Sequence, residues 1–309
     1  MTSRKFRFGV LHRAAPTRAE WQTLARRAED LGYDTFLISE HFGVHLSMGA
    51  ALVSAAEATS RLRVGTMVCD IDFRHPALLA KEAASIDVLT EGRFELGLGA
   101  GWMLSDYQQT GIPFDPPGVR VERFRETLAI LKGLFADGPL TFRGKQFEIE
   151  GLEGLPKPKQ RPHMPIVIGG GGPRMIELAA READILSVAM QSLPGGGLDW
   201  LNASSAAFDE KLALIRETAG ERYASLEVSL LMQKTVITDD RGRAAEQQAG
   251  AWQISPEAVL DSPLALIGSA DQVVEDLEVR RGRWDASYVC VFAEAMEAFA
   301  PVVSRLAGK

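Results

Sequence analysis

This sequence contains little cysteine, and it has neither long apolar runs nor clusters rich in histidine or cysteine. Cys69 and Cys290 each sit in an apolar run, which predicts small buried side chains rather than a disulfide. No uninterrupted apolar run is long enough to cross a bilayer. Residues 1–8 show neither the apolar core nor the cleavage site of a signal peptide. We therefore expect a cytoplasmic protein that does not enter membranes.

Positive charge is also in short supply, because 41 acidic residues outnumber 34 basic ones and the net charge is -7. Nucleic acids and anionic membranes attract basic surfaces, so neither is expected as a partner. Hydrophobic residues are plentiful, at 46% of the 309 residues. This composition is typical of soluble globular proteins, and α/β barrels of this length commonly form one domain. We expect a single domain over residues 1–309.

The stretch 62–102 shows a pattern that the rest of the chain repeats: an apolar strand, a helix, and another apolar strand that ends in small residues. Buried parallel strands are near-continuous apolar runs because helices cover both faces of their sheet. Eight such strands are predicted at Phe6–His12, Thr35–Ser39, Leu62–Asp70, Phe94–Trp102, Pro165–Ile168, Ala183–Val188, Leu226–Ile237 and Ser287–Phe292. The alternation predicts an α/β fold, a (β/α)8 TIM barrel, with its active site at the C-terminal ends of the strands.

One segment, at about 138–161, interrupts the alternation of strands and helices. Residues 141–149 are typical of a small hairpin, and the prolines and lysines of 155–159 are typical of an extended connector. Because the alternation resumes at once, this segment is predicted to be an insertion into the barrel.

A run of glycines follows the fifth predicted strand and precedes a helix; it consists of Gly169, Gly170, Gly171 and Gly172, with Arg174 close behind. Backbone N–H groups at a helix N-terminus bind anions, and glycine lets a phosphate approach closely. A tight turn would need only one glycine, so the run favours a phosphate site.

A second glycine cluster, Gly97 to Gly101, ends the fourth predicted strand. It does not match G-x-G-x-x-G, because Trp102 follows directly. Two interpretations stay open: the glycines let a flat ring lie against the backbone of Ala100 and Gly101, or they serve packing alone.

Several polar residues end other strands. His41 is suited to donate a hydrogen bond or move a proton near neutral pH, and Glu40 either orients it or caps the next helix. His12 ends strand one and is a candidate for cofactor binding. His45 and His75 are expected at the surface or at helix caps.

The remaining rim residues suggest an apolar substrate mouth, formed by Trp102, Met103 and Met190. Asp70 ends strand three, where it suits either ligand binding or capping. A metal-dependent barrel hydrolase would need converging ligands such as paired histidines at strand one, where only His12 occurs. No metal is therefore expected, and no G-x-S-x-G elbow indicates a serine hydrolase.

Longer strings along the chain carry a more specific signal. They are Ser39–Phe42, Val64–Asp70, Phe73–Pro76, Leu89–Trp102 and Ile168–Pro173 followed by Ala183–Ile185. Together they resemble the luciferase-like monooxygenase superfamily, and within it the branch of coenzyme F420-dependent oxidoreductases. The resemblance implies a (β/α)8 barrel with insertions, a homodimer, and coenzyme F420, or alternatively FMN, at the C-terminal face.

The resemblance also implies roles for single residues. A cis peptide bond between Met67 and Val68 would bulge against the cofactor ring, which Asp70 and the backbone of Ala100 and Gly101 would flank. His41 would lie near the hydride-bearing carbon, and the run that begins at Gly169 would hold the phosphate. Sugar-phosphate dehydrogenases of the family carry a catalytic glutamate where this chain has Trp102, which argues against that activity.

These expectations combine into one function: an F420-dependent oxidoreductase that moves a hydride between the deazaflavin and a small, fairly apolar organic substrate. His41 would donate the proton or orient the substrate, while the cofactor performs the redox step. Three alternatives stay open: an FMN-dependent monooxygenase on the same scaffold, a metal-dependent barrel hydrolase, and a non-catalytic cofactor-binding protein.

Overall fold

A computed structural model describes residues 4–193 and 195–309 of the chain. Its strands, in chain order, are β1 Arg7–His12, β2 Thr35–Ile38, β3 Arg63–Thr66, β4 Cys69–Asp70, β5 Phe94–Gly99, β6 Pro139–Arg143, β7 Glu148–Glu153, β8 Ile166–Gly170, β9 Ile185–Val188, β10 Glu227–Leu231, β11 Lys234–Ile237, β12 Ala265–Gly268 and β13 Ala286–Phe292. Its helices are α1 Arg18–Asp30, α2 Met48–Glu57, α3 Pro76–Leu89, α4 Leu104–Thr110, α5 Pro117–Phe135, α6 Pro173–Glu182, α7 Ser205–Ala219, α8 Arg241–Trp252, α9 Pro256–Asp261, α10 Ala270–Trp284 and α11 Met296–Leu306.

The main sheet closes on itself. Its strands follow the order β3-β2-β1-β13-β10-β9-β8-β5, and a further pairing between β5 and β3 completes the ring. All of these neighbours are parallel. The short strand β4 continues β3 and also pairs with β5. The predicted (β/α)8 barrel is therefore confirmed.

The prediction of strand seven is wrong in its second half. Only β10 belongs to the barrel; at Gln233 the chain turns away, and its N–H donates to the Leu264 carbonyl at 2.8 Å. β11 then pairs in parallel with β12, a strand that is absent from the eight predicted ones. Both segments are short and apolar enough to form a second two-stranded sheet beside the barrel.

The barrel strands separate two apolar cores, because successive side chains of a strand point to opposite faces. The larger core lies between the strands and the helices and includes Phe8, Val10 and Cys69. The smaller one fills the barrel interior and includes Leu11, Met67 and Cys290. Both cysteines are buried free thiols, as predicted.

Charged residues fill the N-terminal end of the barrel. The Arg7 guanidinium forms ion pairs with Glu95 and Glu227, each at 2.7 Å, and lies 3.5 Å from the ring centre of Tyr288. Arg63 reaches the same Glu95 oxygen at 2.8 Å. These contacts form a floor, which we call the ion-paired floor, opposite the C-terminal ends of the strands.

The predicted hairpin is present, with bounds shifted outward. β6 and β7 pair in antiparallel fashion. The loop between them is held by the buried Glu126 carboxylate of α5, which accepts from the N–H groups of Lys145 and Gln146 at 2.7 and 2.9 Å. In the described part of the chain, no helix has the length and apolarity of a membrane span.

Candidate active site

A cavity of about 890 Å³ opens at the C-terminal ends of the barrel strands. Most of the residues predicted for the site line it. They are Glu40, His41, Met67, Val68, Asp70, Ala100, Gly101, Trp102, Met103, Gly169, Gly170, Gly171, Gly172, Arg174 and Met190. The expectation that functional residues lie at the C-terminal ends of the strands is thus consistent with where these residues lie.

His12 is the exception, and its assignment to the cofactor site is corrected. Its side chain lies on the outer face of β1, stacked 4.6 Å from the Phe36 ring and near Trp21 of α1. It therefore faces the helix layer, as Phe8 and Val10 do, because these residues share one face of the strand. Burial lowers the pKa of His12 to about 4.

The peptide bond between Met67 and Val68 is cis, as the resemblance implied. The Val68 side chain presses against glycines of neighbouring strands: a Cβ on Gly99 would lie 2.5 Å from it, and one on Gly169 would lie 3.2 Å away. A Cβ on Gly97 would lie only 1.9 Å from the Thr66 carbonyl oxygen. Packing therefore explains the first glycines of the strand-four cluster.

Gly101 meets a polar cluster instead. A Cβ there would lie 1.7 Å from the Tyr107 hydroxyl and 2.6 Å from an Asp70 oxygen, and its φ is +73°. The Tyr107 hydroxyl lies 2.8 Å from Asp70 and 3.0 Å from Asp72, but it has only one hydrogen to donate. Asp72 is already paired with Arg123 at 2.8 Å. This arrangement is best satisfied when Asp70 carries a proton.

Asp70 also caps the following turn, since it accepts from the Asp72 N–H at 2.9 Å. Its side chain borders the cavity, and the residue is only 8% exposed. Burial raises the pKa of Asp70 to about 7, against the lowering effect of its hydrogen bonds. Both interpretations of Asp70, capping and lining the site, thus fit its position.

His41 is held by a buried carboxylate. Its Nδ1 lies 2.7 Å from an Asp106 oxygen, and the other Asp106 oxygen accepts from the Phe42 N–H at 3.3 Å. A carboxylate only accepts, so Nδ1 carries a hydrogen and Nε2 is left for a ligand. Asp106 lies in α4, 65 positions further along the chain. Asp106 lies shortly after the C-terminal end of β5, in the region where functional residues were expected, but no sequence signal pairs it with His41.

Glu40 does not orient His41, and that interpretation is corrected. Its carboxylate forms an ion pair with Arg74 and accepts from the Asp70 N–H at 3.0 Å, while its own N–H donates to the Val68 carbonyl at 3.3 Å. Glu40 therefore fastens the segment that follows the cis bond. Helix α2, which it was thought to cap, has Ser47 at that position.

His45 and His75 were both expected at the surface or at helix caps, and the expectation holds only for His75. His75 caps α3, accepting from the Ala77 N–H at 3.2 Å. His45 was misjudged: it lines the cavity with its ring centre 5.0 Å from that of His41. Trp102 approaches His41 from another side, edge to face at 5.9 Å. A short loop after β2 thus carries two histidines of the site.

The glycine run lies partly in β8 and partly at the start of α6. A Cβ on Gly171 would meet the Met190 carbonyl oxygen at 2.2 Å, so packing requires this glycine. Gly172 is the N-cap of α6, and a Cβ there would lie 3.9 Å from the Gln191 side chain, an ordinary contact. The first N–H groups of a helix lack intrahelical partners, so this end of the cavity suits an anion.

Two arginines of the cavity wall had not been predicted. Arg120 is buried and donates to the Ala100 and Gly101 carbonyls, so its guanidinium fixes the loop after β5. Arg13 follows β1 and is exposed at the mouth. Among the described residues, no group of histidine, cysteine and acidic side chains could hold a metal ion.

A parallel barrel with a large cavity at its C-terminal face, an acid-held histidine and a glycine-lined anion end defines a cofactor-binding enzyme scaffold. Comparison with known families makes this specific. Residues 3–258 match the model of the luciferase-like monooxygenase family. The chain belongs to this family.

Named relatives divide between two chemistries. An F420-dependent glucose-6-phosphate dehydrogenase of Amycolatopsis mediterranei is 32% identical over 52% of this chain and 50% of that protein. The 4-hydroxyprotoasukamycin monooxygenase of Streptomyces nodosus subsp. asukaensis is 29% identical over 74% of this chain and 62% of that protein. The chain thus matches only about half of the first relative's length.

Solved structures support the fold. The coenzyme F420-dependent tetrahydromethanopterin reductase of Methanopyrus kandleri superposes with a TM-score of 0.78 at 19% identity, over 98% of this chain and 99% of that one. At this identity the likeness concerns the architecture alone.

Proposed function

We propose that this protein is an F420-dependent oxidoreductase that transfers a hydride between the deazaflavin and a small, fairly apolar organic substrate. The observation that carries the proposal is His41, held by Asp106 in a largely apolar cavity beside the Met67–Val68 bulge. The F420-dependent relatives support the cofactor assignment. When bound, the deazaflavin supplies the hydride-carrying carbon.

The cavity fits such a cofactor at both ends. Gly172 and the N-terminus of α6, with Arg174 beside them, would hold its phosphate through N–H groups and one cation. Val68 presents a firm apolar surface for a flat ring, since the glycines behind it leave it no room to move away. Asp70 and the backbone at Ala100 and Gly101 would border that ring.

His41 would hold or deliver a proton through Nε2, because Asp106 occupies Nδ1. Glu40 acts as a positioning residue for the bulged segment rather than as a proton carrier. Trp102, Met103 and Met190 would exclude water from the substrate, which favours a fairly apolar molecule.

A spectral titration with F420 and with FMN tests the proposal. We expect F420 to bind, and its reduced form to be consumed only when a substrate is present. His41→Ala should abolish that turnover but keep cofactor binding. His75→Asn is the matched control, since asparagine retains the helix cap outside the cavity. Binding of FMN alone, with no F420 binding, would contradict the proposal.

The second candidate is an FMN-dependent monooxygenase, which the relative from Streptomyces nodosus favours. Its signature is substrate-dependent oxygen consumption with reduced FMN. Two other outcomes are also distinguishable in the same assays: activity that a chelator removes indicates a metal-dependent hydrolase, and cofactor binding without turnover across substrate classes indicates a binding protein.

We further propose that residues 1–309 form one barrel domain with the 138–161 segment as an insertion, and that the protein is a cytoplasmic homodimer. The homodimer rests on the family resemblance and on the exposed apolar residues Leu78, Val88 and Leu89 of α3, which are 58%, 43% and 62% exposed. Light scattering on Leu78→Glu should show monomers if α3 forms the interface.

A further inference from the structure

The cavity mouth has two cationic sides. Going round the barrel, the strand positions follow the order β1, β2, β3 with β4, β5, β8, β9, β10 and β13. β1 and β8 are therefore diametrically opposed. Arg13 follows β1 and Arg174 follows β8, and both line the cavity. If the α6 end holds the cofactor phosphate, the cation on the opposite side is left for another group.

Arg13 is held in place by its neighbours, but its guanidinium forms no ion pair with the described residues. Its carbonyl accepts from the Leu46 N–H at 3.1 Å, which ties it to the histidine-bearing loop, and its guanidinium carbon lies 5.3 Å from the Phe292 ring centre. Within residues 4–193 and 195–309, no carboxylate forms an ion pair with it. The guanidinium of Arg120, by contrast, donates hydrogen bonds to backbone carbonyls.

His45 lies on the same side of the mouth and also lacks a partner. Its Nδ1 is buried and forms no hydrogen bond with the described residues. Because this atom is closed to solvent, a ligand in the open cavity would meet the other ring nitrogen, Nε2, which forms no hydrogen bond with the described residues either. Burial, followed by the positive charges of His41 and Arg13, lowers the pKa of His45. An anion placed between these groups would oppose that lowering and favour the protonated ring, in which both nitrogens donate.

The wall beyond these groups is apolar. Leu231, Phe292 and Met190 come from the strands and loops between the two cationic sides. A guanidinium fork matches the two oxygens of a planar carboxylate, and one fork with one imidazole supplies the donors that a carboxylate needs. A ligand for this side therefore has an acid head and an apolar body.

We propose that Arg13 and His45 form a carboxylate site on the β1–β2 side of the mouth, so that the substrate of the hydride transfer is a small organic acid with an apolar body. This deepens the proposed function and rests on it. The acid head would lie between Arg13 and His45, and the body would extend across the cavity over Phe292 and Leu231.

Calorimetry on the full chain tests the site without turnover, using 3-phenylpropanoate and its uncharged amide as probes. We expect the acid to bind about tenfold more tightly than the amide, the effect of one charge-assisted hydrogen bond. Arg13→Gln should remove this preference and Arg13→Lys should restore part of it. Arg174→Gln is the matched control, because it alters the other cationic side and should leave the preference intact.

Three results would overturn the site: equal affinity for acid and amide, an unchanged preference in Arg13→Gln, or loss of the preference in Arg174→Gln instead. Tighter binding of 2-phenylethyl phosphate than of the acid would overturn the carboxylate assignment. F420 titrations of the same variants keep the two proposals apart. Arg174→Gln should weaken F420 binding and Arg13→Gln should not; absence of F420 binding with a retained acid preference would refute the proposed function alone.

Discussion

Replacing Asp70 by asparagine should make the protein more stable at alkaline pH. Asp70 is 8% exposed, and burial raises the pKa of its carboxyl to about 7. The same group in the unfolded chain has a pKa of about 3.9. Because the folded-state pKa is the higher one, the native state holds its proton longer. Stability from this group is full below about pH 4 and is lost as the pH rises through 7.

The size of the effect follows from these two values. Between pH 5 and pH 9 the wild-type chain should lose about 2.5 kcal/mol of stability through Asp70 alone. For a chain of this length, that corresponds to a fall of about 4 °C in melting temperature. Asparagine has nearly the same shape and does not ionise, so Asp70→Asn should lack this loss.

Thermal melts of wild type and Asp70→Asn at pH 5, 6, 7, 8 and 9 measure the difference. The melting temperature of the variant relative to wild type should rise from pH 5 to about pH 7 and level off above pH 8. Asp239→Asn, at an exposed position, is the matched control and should show no such trend. A difference for Asp70→Asn that does not change with pH would show that Asp70 is ionised in the native state and that the single hydrogen of Tyr107 does not require its proton.

Three further outcomes are expected. Asp106→Asn should keep the fold but lower the rate of the proposed hydride transfer about 100-fold and shift its pH profile, because His41 loses the carboxylate at Nδ1; an unchanged pH profile would contradict this. Gly97→Ala should cost more than about 3 kcal/mol in denaturant titration because its Cβ would overlap a carbonyl oxygen, whereas Gly250→Ala in α8, with open space around it, should stabilise by about 0.5 kcal/mol. His12→Leu should improve stability by about 2 kcal/mol at pH 5 relative to pH 8, since a histidine with a pKa of about 4 must stay neutral while the unfolded chain binds a proton, and it should leave cofactor affinity unchanged.

The barrel could be predicted from the sequence because eight apolar runs alternate with helical segments, and that periodicity is local information. The second sheet could not. β11 begins only three positions after β10 ends, so the two strands look like one in the sequence, and Ala265–Gly268 is too short to stand out from a loop. Their pairing with each other is a long-range contact that no local pattern encodes.

The candidate site shows the same division. The ends of the strands could be located in the sequence, so nearly every predicted residue lines the cavity. The sequence did not show which face of β1 points into the barrel, and the direction of the His12 side chain depends on that. The pairing of His41 with Asp106 depends on the path of two loops. The reason for the glycines of β5 becomes clear only from the structure, in which the Val68 side chain packs against them.

The ion-paired floor has a kinetic consequence. Arg7, Glu95 and Glu227 fill the end of the barrel away from the cavity, so two ligands of this cavity must share a single doorway at the strand C-termini. A ring seated against Val68 lies deeper than a molecule held at Arg13. The deeper ligand then has to arrive first and depart last, so turnover should follow a compulsory order in which the proposed deazaflavin binds first.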